Sequence, residues 1–87
     1  MFETIVVATD GSDSVSRAVT VALDVAARFD ATVHALSVID RRLYLAADES
    51  QKSDLKSSLR DDARAAVERV ADGAADAGVD CTTAVRD

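Results

Sequence analysis

Proline is absent from this sequence and aromatic residues make up only 3% of it, so turns and core must come from other residue types. Val, Ala, Leu and Ile carry most of the 48% that is hydrophobic. A single cysteine, Cys81, excludes an internal disulfide and suits a reducing compartment. No stretch approaches the roughly 18 to 20 apolar residues of a membrane span, and MFETIVVATDG has no basic leader with a cleavage site. These features predict a soluble, cytoplasmic protein with no membrane partner. One histidine and one cysteine fall short of the three or four ligands of a zinc site, so no metal site is expected. Three glycines, Gly11, Gly73 and Gly78, cannot make G-x-G-x-x-G, and no G-K-[ST] occurs. A dinucleotide fingerprint and a P-loop are therefore excluded.

Basic residues are also scarce. Ten face sixteen acidic ones, for a net charge of −6, which argues against nucleic acid as a partner. Aspartate far outnumbers glutamate, and Lys52 and Lys56 are the only lysines. Such an acidic, halophilic-type surface keeps a protein soluble at the cost of self-repulsion that salt screens. The pattern is the one expected in a high-salt cytoplasm, with ordinary surface acidity from a high-GC genome as the other reading.

Eighty-seven residues allow one domain, 1–87, with a thin core. The chain reads as strand, helix, strand, helix, strand. Thr4 to Thr9 carries the continuous apolar run Ile5-Val6-Val7-Ala8, which suits a strand covered on both faces. Asp10-Gly11-Ser12 ends it, and Ser12, Asp13 or Ser14 can cap the next helix. That helix carries Val15, Ala18, Val19, Ala22, Leu23, Ala26 and Phe29 at helical spacing. Thr32 to Ile39 forms the second strand, and Asp40 to about Ser50 reads as a loop. A long helix follows from about Ser53 to Ala77, with Leu55, Leu59, Ala63, Ala66, Val67, Val70 and Ala74 on one face. Gly78 closes it, and Val79 to Val85 forms the third strand.

This alternation predicts an α/β fold with a parallel sheet and right-handed crossovers, in the order strand one, strand two, strand three. The other margin of strand one is then open. An apolar strand makes a poor margin because its free hydrogen-bonding groups invite another chain. Half of a doubly wound sheet is expected, completed by a second chain or by further residues.

The run Ile5-Val6-Val7-Ala8-Thr9-Asp10-Gly11-Ser12, with Ser37-Val38-Ile39-Asp40 closing strand two and Ala-Gly-Val after the long helix, resembles the universal stress protein family over essentially the whole chain. The resemblance implies a Rossmann-like fold of the adenine nucleotide alpha hydrolase type, here three strands and two helices. It also implies a stress-response regulatory module that binds ATP, AMP or another adenine nucleotide and works as a homodimer. Positions matching Ala8, Thr9 and Asp10 line the adenosine pocket in nucleotide-binding members, and the position matching Val38 offers its backbone to adenine. ATP-binding members hold the phosphates with Gly-x-x-Gly, nine residues, then Gly-Ser or Gly-Thr, after a fourth strand. The 87 residues do not contain that pattern. What they carry is the adenosine half of a site, with a divalent ion accompanying only the nucleotide phosphates. A non-nucleotide dimerisation or interaction module of the same fold is the other reading.

Asp10-Gly11-Ser12 has a plainer structural explanation too, as a strand-to-helix turn with its cap. Ala8-Thr9-Asp10-Gly11-Ser12 also resembles the Asp-x-Asp-Gly-Thr signature of haloacid dehalogenase-type phosphatases. Ala8 stands where their nucleophile should be, so that chemistry is lost. A receiver domain of two-component signalling needs an acidic pair after strand one, and Thr9-Asp10 supplies one acid. No nucleophile–base pair or catalytic carboxylate pair emerges, so the chain is not expected to be an enzyme beyond slow ATP hydrolysis. His34 and Cys81 read as partly buried strand residues. Arg41 and Arg42 read as solvated loop charges, and Ser50, Ser53, Ser57 and Ser58 as capping the long helix. Asp61 and Arg64 are spaced for weak i,i+3 support, and Glu68 with Arg69 reads as a solvated face.

Overall fold

A computed structural model describes residues 3–40, 42–46 and 48–87. The elements are β1 (Thr4–Ala8), α1 (Asp13–Phe29), β2 (Thr32–Val38), α2 (Arg42–Leu45), α3 (Glu49–Ala77) and β3 (Cys81–Arg86). The three strands form one parallel sheet in the order β1-β2-β3. Val6 lies opposite His34, and His34 opposite Thr82.

Both crossovers run in the same direction across the sheet, so right-handed connections put α1 and α3 on one face. The two helices pack against each other as well as on the strands. Burial follows: Val7, Val33 and Ala35 lie under the helices, with Leu23 and Ala26 from α1 and Val67, Val70 and Ala74 from α3. Ile39 and Ala63 form a smaller cluster at the carboxyl end of the sheet. The opposite face is bare. Val6 is 61% exposed and Val38 64%. The continuous apolar run of β1 predicts cover on both faces, and only one is covered among the described residues.

The helix ends follow local chemistry. Ser12 is the N-cap of α1, its side chain accepting from the Val15 N–H at 3.4 Å. At the other end Asp30 takes a left-handed conformation, φ 54°, and the Ala31 N–H donates to the Ala26 carbonyl at 2.9 Å. Gly78, φ 72°, closes α3 in a Schellman motif. There the Gly78 N–H donates to the Ala75 carbonyl and the Val79 N–H to that of Ala74. Val79 is thereby spent on the helix end and buried, so β3 starts at Cys81 rather than at the expected Val79.

The segment after β2 departs most from expectation. It contains the short helix α2, and α3 begins at Glu49 instead of about Ser53. Asp48 occupies the N-cap position, and acidic groups at a helix start are favoured by the helix dipole. Ser50, Ser53, Ser57 and Ser58 are thus exposed positions within α3, not caps. Lys52 and Glu49 make an i,i+3 pair in this helix at 3.7 Å, and among the described residues Asp61 and Arg64 make no ion pair. Arg41 lies outside the described residues.

Candidate functional site

Residues 9–12 join β1 to α1 at the carboxyl end of the sheet, where open α/β folds place their ligands. Side chains build this turn. The Gly11 N–H donates to Thr9 Oγ1 at 3.1 Å, and the Ser12 N–H donates to Asp10 Oδ1 at 2.8 Å. Hydrogen bonds from Ser12, first from its side chain and then from its backbone N–H, hold the Asp10 carboxyl below its ordinary value of 3.8, although the side chain faces solvent. Asp10 is therefore ionised, an exposed carboxylate at the mouth of the turn that accepts hydrogen bonds. Gly11 sits at φ 78° against α3, where a Cβ would meet the Arg69 guanidinium. Glycine is favoured there by the left-handed backbone, and a larger residue would have to push the end of the Arg69 side chain aside.

Two clefts flank the turn. One, of about 280 Å³, is lined by Asp10 from the turn, by Ser37, Val38, Ile39 and Asp40 at the end of β2, and by Leu59, Asp62 and Ala63 of α3. The other, of about 300 Å³, lies between α1 and α3, with Thr9, Ser12, Ser16 and Arg69 in its wall. Of the four positions singled out from the sequence, Asp10 and Val38 share the first cleft. Thr9, buried, lines the second. Ala8 lies on the bare face of the sheet beside Val6.

Three carboxylates, Asp10, Asp40 and Asp62, surround the first cleft. Such a wall accepts hydrogen bonds from hydroxyl and amino groups and repels phosphate. Among the described residues no group of acids, histidines or cysteines could hold a metal ion. Arg42 folds back onto Asp40, with guanidinium to carboxylate at 2.8 Å, and its bonds lower the Asp40 pKa. That arginine is committed locally. Asp40, Asp62 and the α3 wall escaped the sequence reading of the site. Leu59 and Ala63 were visible only as members of the helix stripe, and nothing in the spacing shows that α3 reaches the end of β2.

The remaining candidates have structural roles. His34 Nδ1 shares a hydrogen bond with Thr82 Oγ1 at 2.7 Å across the β2–β3 ladder. Cys81 packs against the core, and burial pushes its thiol up from the ordinary value of 9.0.

The sequence model of the universal stress protein family matches residues 1–87, the whole chain. The chain belongs to that family. This universal stress protein is similar in fold to a protein of the family from Burkholderia pseudomallei, with a TM-score of 0.84. The two are 24% identical over 98% of this chain and 63% of that one. A second similar structure is a universal stress protein in complex with cAMP, with a TM-score of 0.56 and 26% identity over 95% of this chain and 60% of that one. The chain thus spans less than two thirds of the length of either structure. No curated protein matches the sequence. Among the described residues no helix is long and apolar enough to cross a membrane.

Proposed function

We propose that this universal stress protein is a regulatory module that binds an adenine nucleotide by its nucleoside end. The observation that carries the reading is the convergence of Asp10 and Val38 on one cleft at the carboxyl ends of β1 and β2. Its volume, about 280 Å³, is at the small end of ligand pockets and suits a nucleoside rather than a whole triphosphate. The backbone of Val38, at the end of β2 in the cleft wall, offers hydrogen-bonding groups to the edge of a base. Asp10 and Asp62 offer acceptors to ribose hydroxyls and the exocyclic amine, Asp40 being held by Arg42. Phosphates then point away from this acidic wall, and a divalent ion enters only with them. The related structure in complex with cAMP supports an adenine nucleotide as the ligand class. The reading is one of binding and signalling, not turnover.

The test is calorimetric titration with AMP, cAMP and ATP, comparing the wild type with Asp10→Ala and Asp10→Asn. Asn retains an oxygen for the Ser12 N–H and so preserves the turn while removing the charge. A charge-assisted hydrogen bond is worth about 1.5 to 3 kcal/mol, so both variants should bind at least tenfold more weakly. Equal affinities for all three proteins would remove Asp10 from the site. No binding by the wild type would favour the second reading, an interaction module, which the bare face with Val6 and Val38 supports.

A further inference from the structure

Among the described residues β3 forms one margin of the sheet, with β2 on its inner side only. Parallel pairing sends alternate peptide groups to the two sides of a strand. The Val33 N–H donates to the Asp80 carbonyl at 2.9 Å and the Ile39 N–H to that of Arg86 at 2.7 Å. Positions 82, 84 and 86 therefore serve β2, and the peptide groups of Thr83 and Val85 point outward, the Val85 carbonyl accepting from the exposed Arg86 guanidinium at 3.3 Å. Alongside them a groove of about 520 Å³ runs between β3 and α3. Its lining includes Arg60, Arg64 and Glu68 from the helix and Arg86 from the strand.

This is a positive strip on a protein of net charge −6. Three guanidinium groups face one carboxylate in the groove wall. Asp87 pairs with Arg60 at 3.2 Å, while Arg64 makes no ion pair among the described residues. The opposite margin, β1, offers the same kind of open backbone, yet its sequence TIVVA has no charged residue. An open strand margin accepts an added strand, and the charges beside it choose which one.

We propose that the outer margin of β3 docks an acidic extended segment of another protein, which adds as a strand while its carboxylates meet Arg60, Arg64 and Arg86. A second copy fits less well, because its own open strand, β1, has acids only at its flanks, Glu3 and Asp10, and none within Thr4–Ala8.

The test uses the intact chain and a labelled, end-capped eight-residue peptide alternating Val and Glu, with a matching Val and Lys peptide as control. Fluorescence anisotropy should show binding of the Glu peptide alone, weakening several-fold as salt rises from 50 to 500 mM. Amide exchange at Thr83 and Val85 should slow when the Glu peptide binds. The double variant Arg60→Gln, Arg64→Gln should weaken binding by roughly three- to tenfold, the scale of two exposed ion pairs. Arg64→Lys, which keeps the charge, should retain most of it. Equal binding of the Lys peptide, protection at β1 instead of β3, or insensitivity to salt would overturn the proposal. So would protection of Thr83 and Val85 that grows with protein concentration in the absence of peptide, since the occupant would then be a second copy. If the double variant fails to fold, the peptide and salt comparisons still decide.

Discussion

Single positions show the difference between backbone strain and collision. Gly78 and Gly11 both hold φ above 70°, yet a Cβ at Gly78 meets nothing within 4 Å and one at Gly11 meets Arg69. Gly78→Ala should therefore cost only the left-handed penalty, about 1 kcal/mol. Gly11→Ala should cost the same, about 1 kcal/mol, because the Arg69 guanidinium is the far end of a flexible, exposed side chain that swings aside, and adding Arg69→Ala should change little. Urea denaturation of the two single variants and the double variant checks this; a clearly larger cost for Gly11→Ala that Arg69→Ala relieves would show that Arg69 is held in place. Asp10 adds a pH dependence at the same turn. Its folded value is lowered by the bonds from Ser12, so its stabilisation is full above the ordinary 3.8 and is lost as pH falls through the lowered value. Nucleotide affinity in Asp10 protein should accordingly be as high at pH 5 as at pH 7. A loss of affinity centred near pH 6 would point to a different group.

At the scale of elements, the order β1-β2-β3, the start of α1 and the end of α3 were legible because they rest on local rules. Apolar runs, the Ser12 cap and Gly78 each act within a few residues. The start of α3 was not, because four serines and alternating charges give weak local preference, and packing of Leu55 and Leu59 against the Ile39 cluster extends the helix. The candidate site was half legible for a related reason. Asp10 and Val38 end strands, which a sequence marks, whereas Asp40, Asp62 and the α3 wall join them only through the crossing of α3 over β2. Within α3, Gly73 carries a helix-interior penalty of about 1 kcal/mol relative to alanine. A Cβ there would lie 3.1 Å from Leu23 Cδ1, the tip of a flexible side chain that borders the open cleft between α1 and α3. Leu23 has room to yield, so Gly73→Ala should raise stability by about 0.5 kcal/mol in thermal denaturation. A lower Tm would show that the α1–α3 contact is too tight to give.

The whole molecule exposes more surface than its mass requires. A folded chain of 9.1 kDa is expected to expose about 4,900 Å², and this one exposes 5985 Å². Its radius of gyration, 14.7 Å, likewise exceeds the roughly 12 Å of a compact chain of this length. The excess has identifiable sources: the bare face with Val6 and Val38, and the 29-residue α3, which alone is about 44 Å long. An excess of about 1,100 Å² is comparable to one side of a standard protein interface. The 87-residue chain should therefore associate in solution, and sedimentation at rising concentration should show species larger than a monomer. Its charge opposes both folding and association. At net −6 the self-repulsion is screened progressively, with a Debye length of about 10 Å at 0.1 M salt and 3 Å at 1 M. Sodium chloride should raise Tm steeply at low concentration and level off once screening is complete. Sodium sulfate should keep raising it, because exclusion from apolar surface adds to screening. A Tm unchanged between dilute buffer and 1 M sodium chloride would mean that the acidic surface does not limit stability, and the high-salt interpretation of this composition would fall with it.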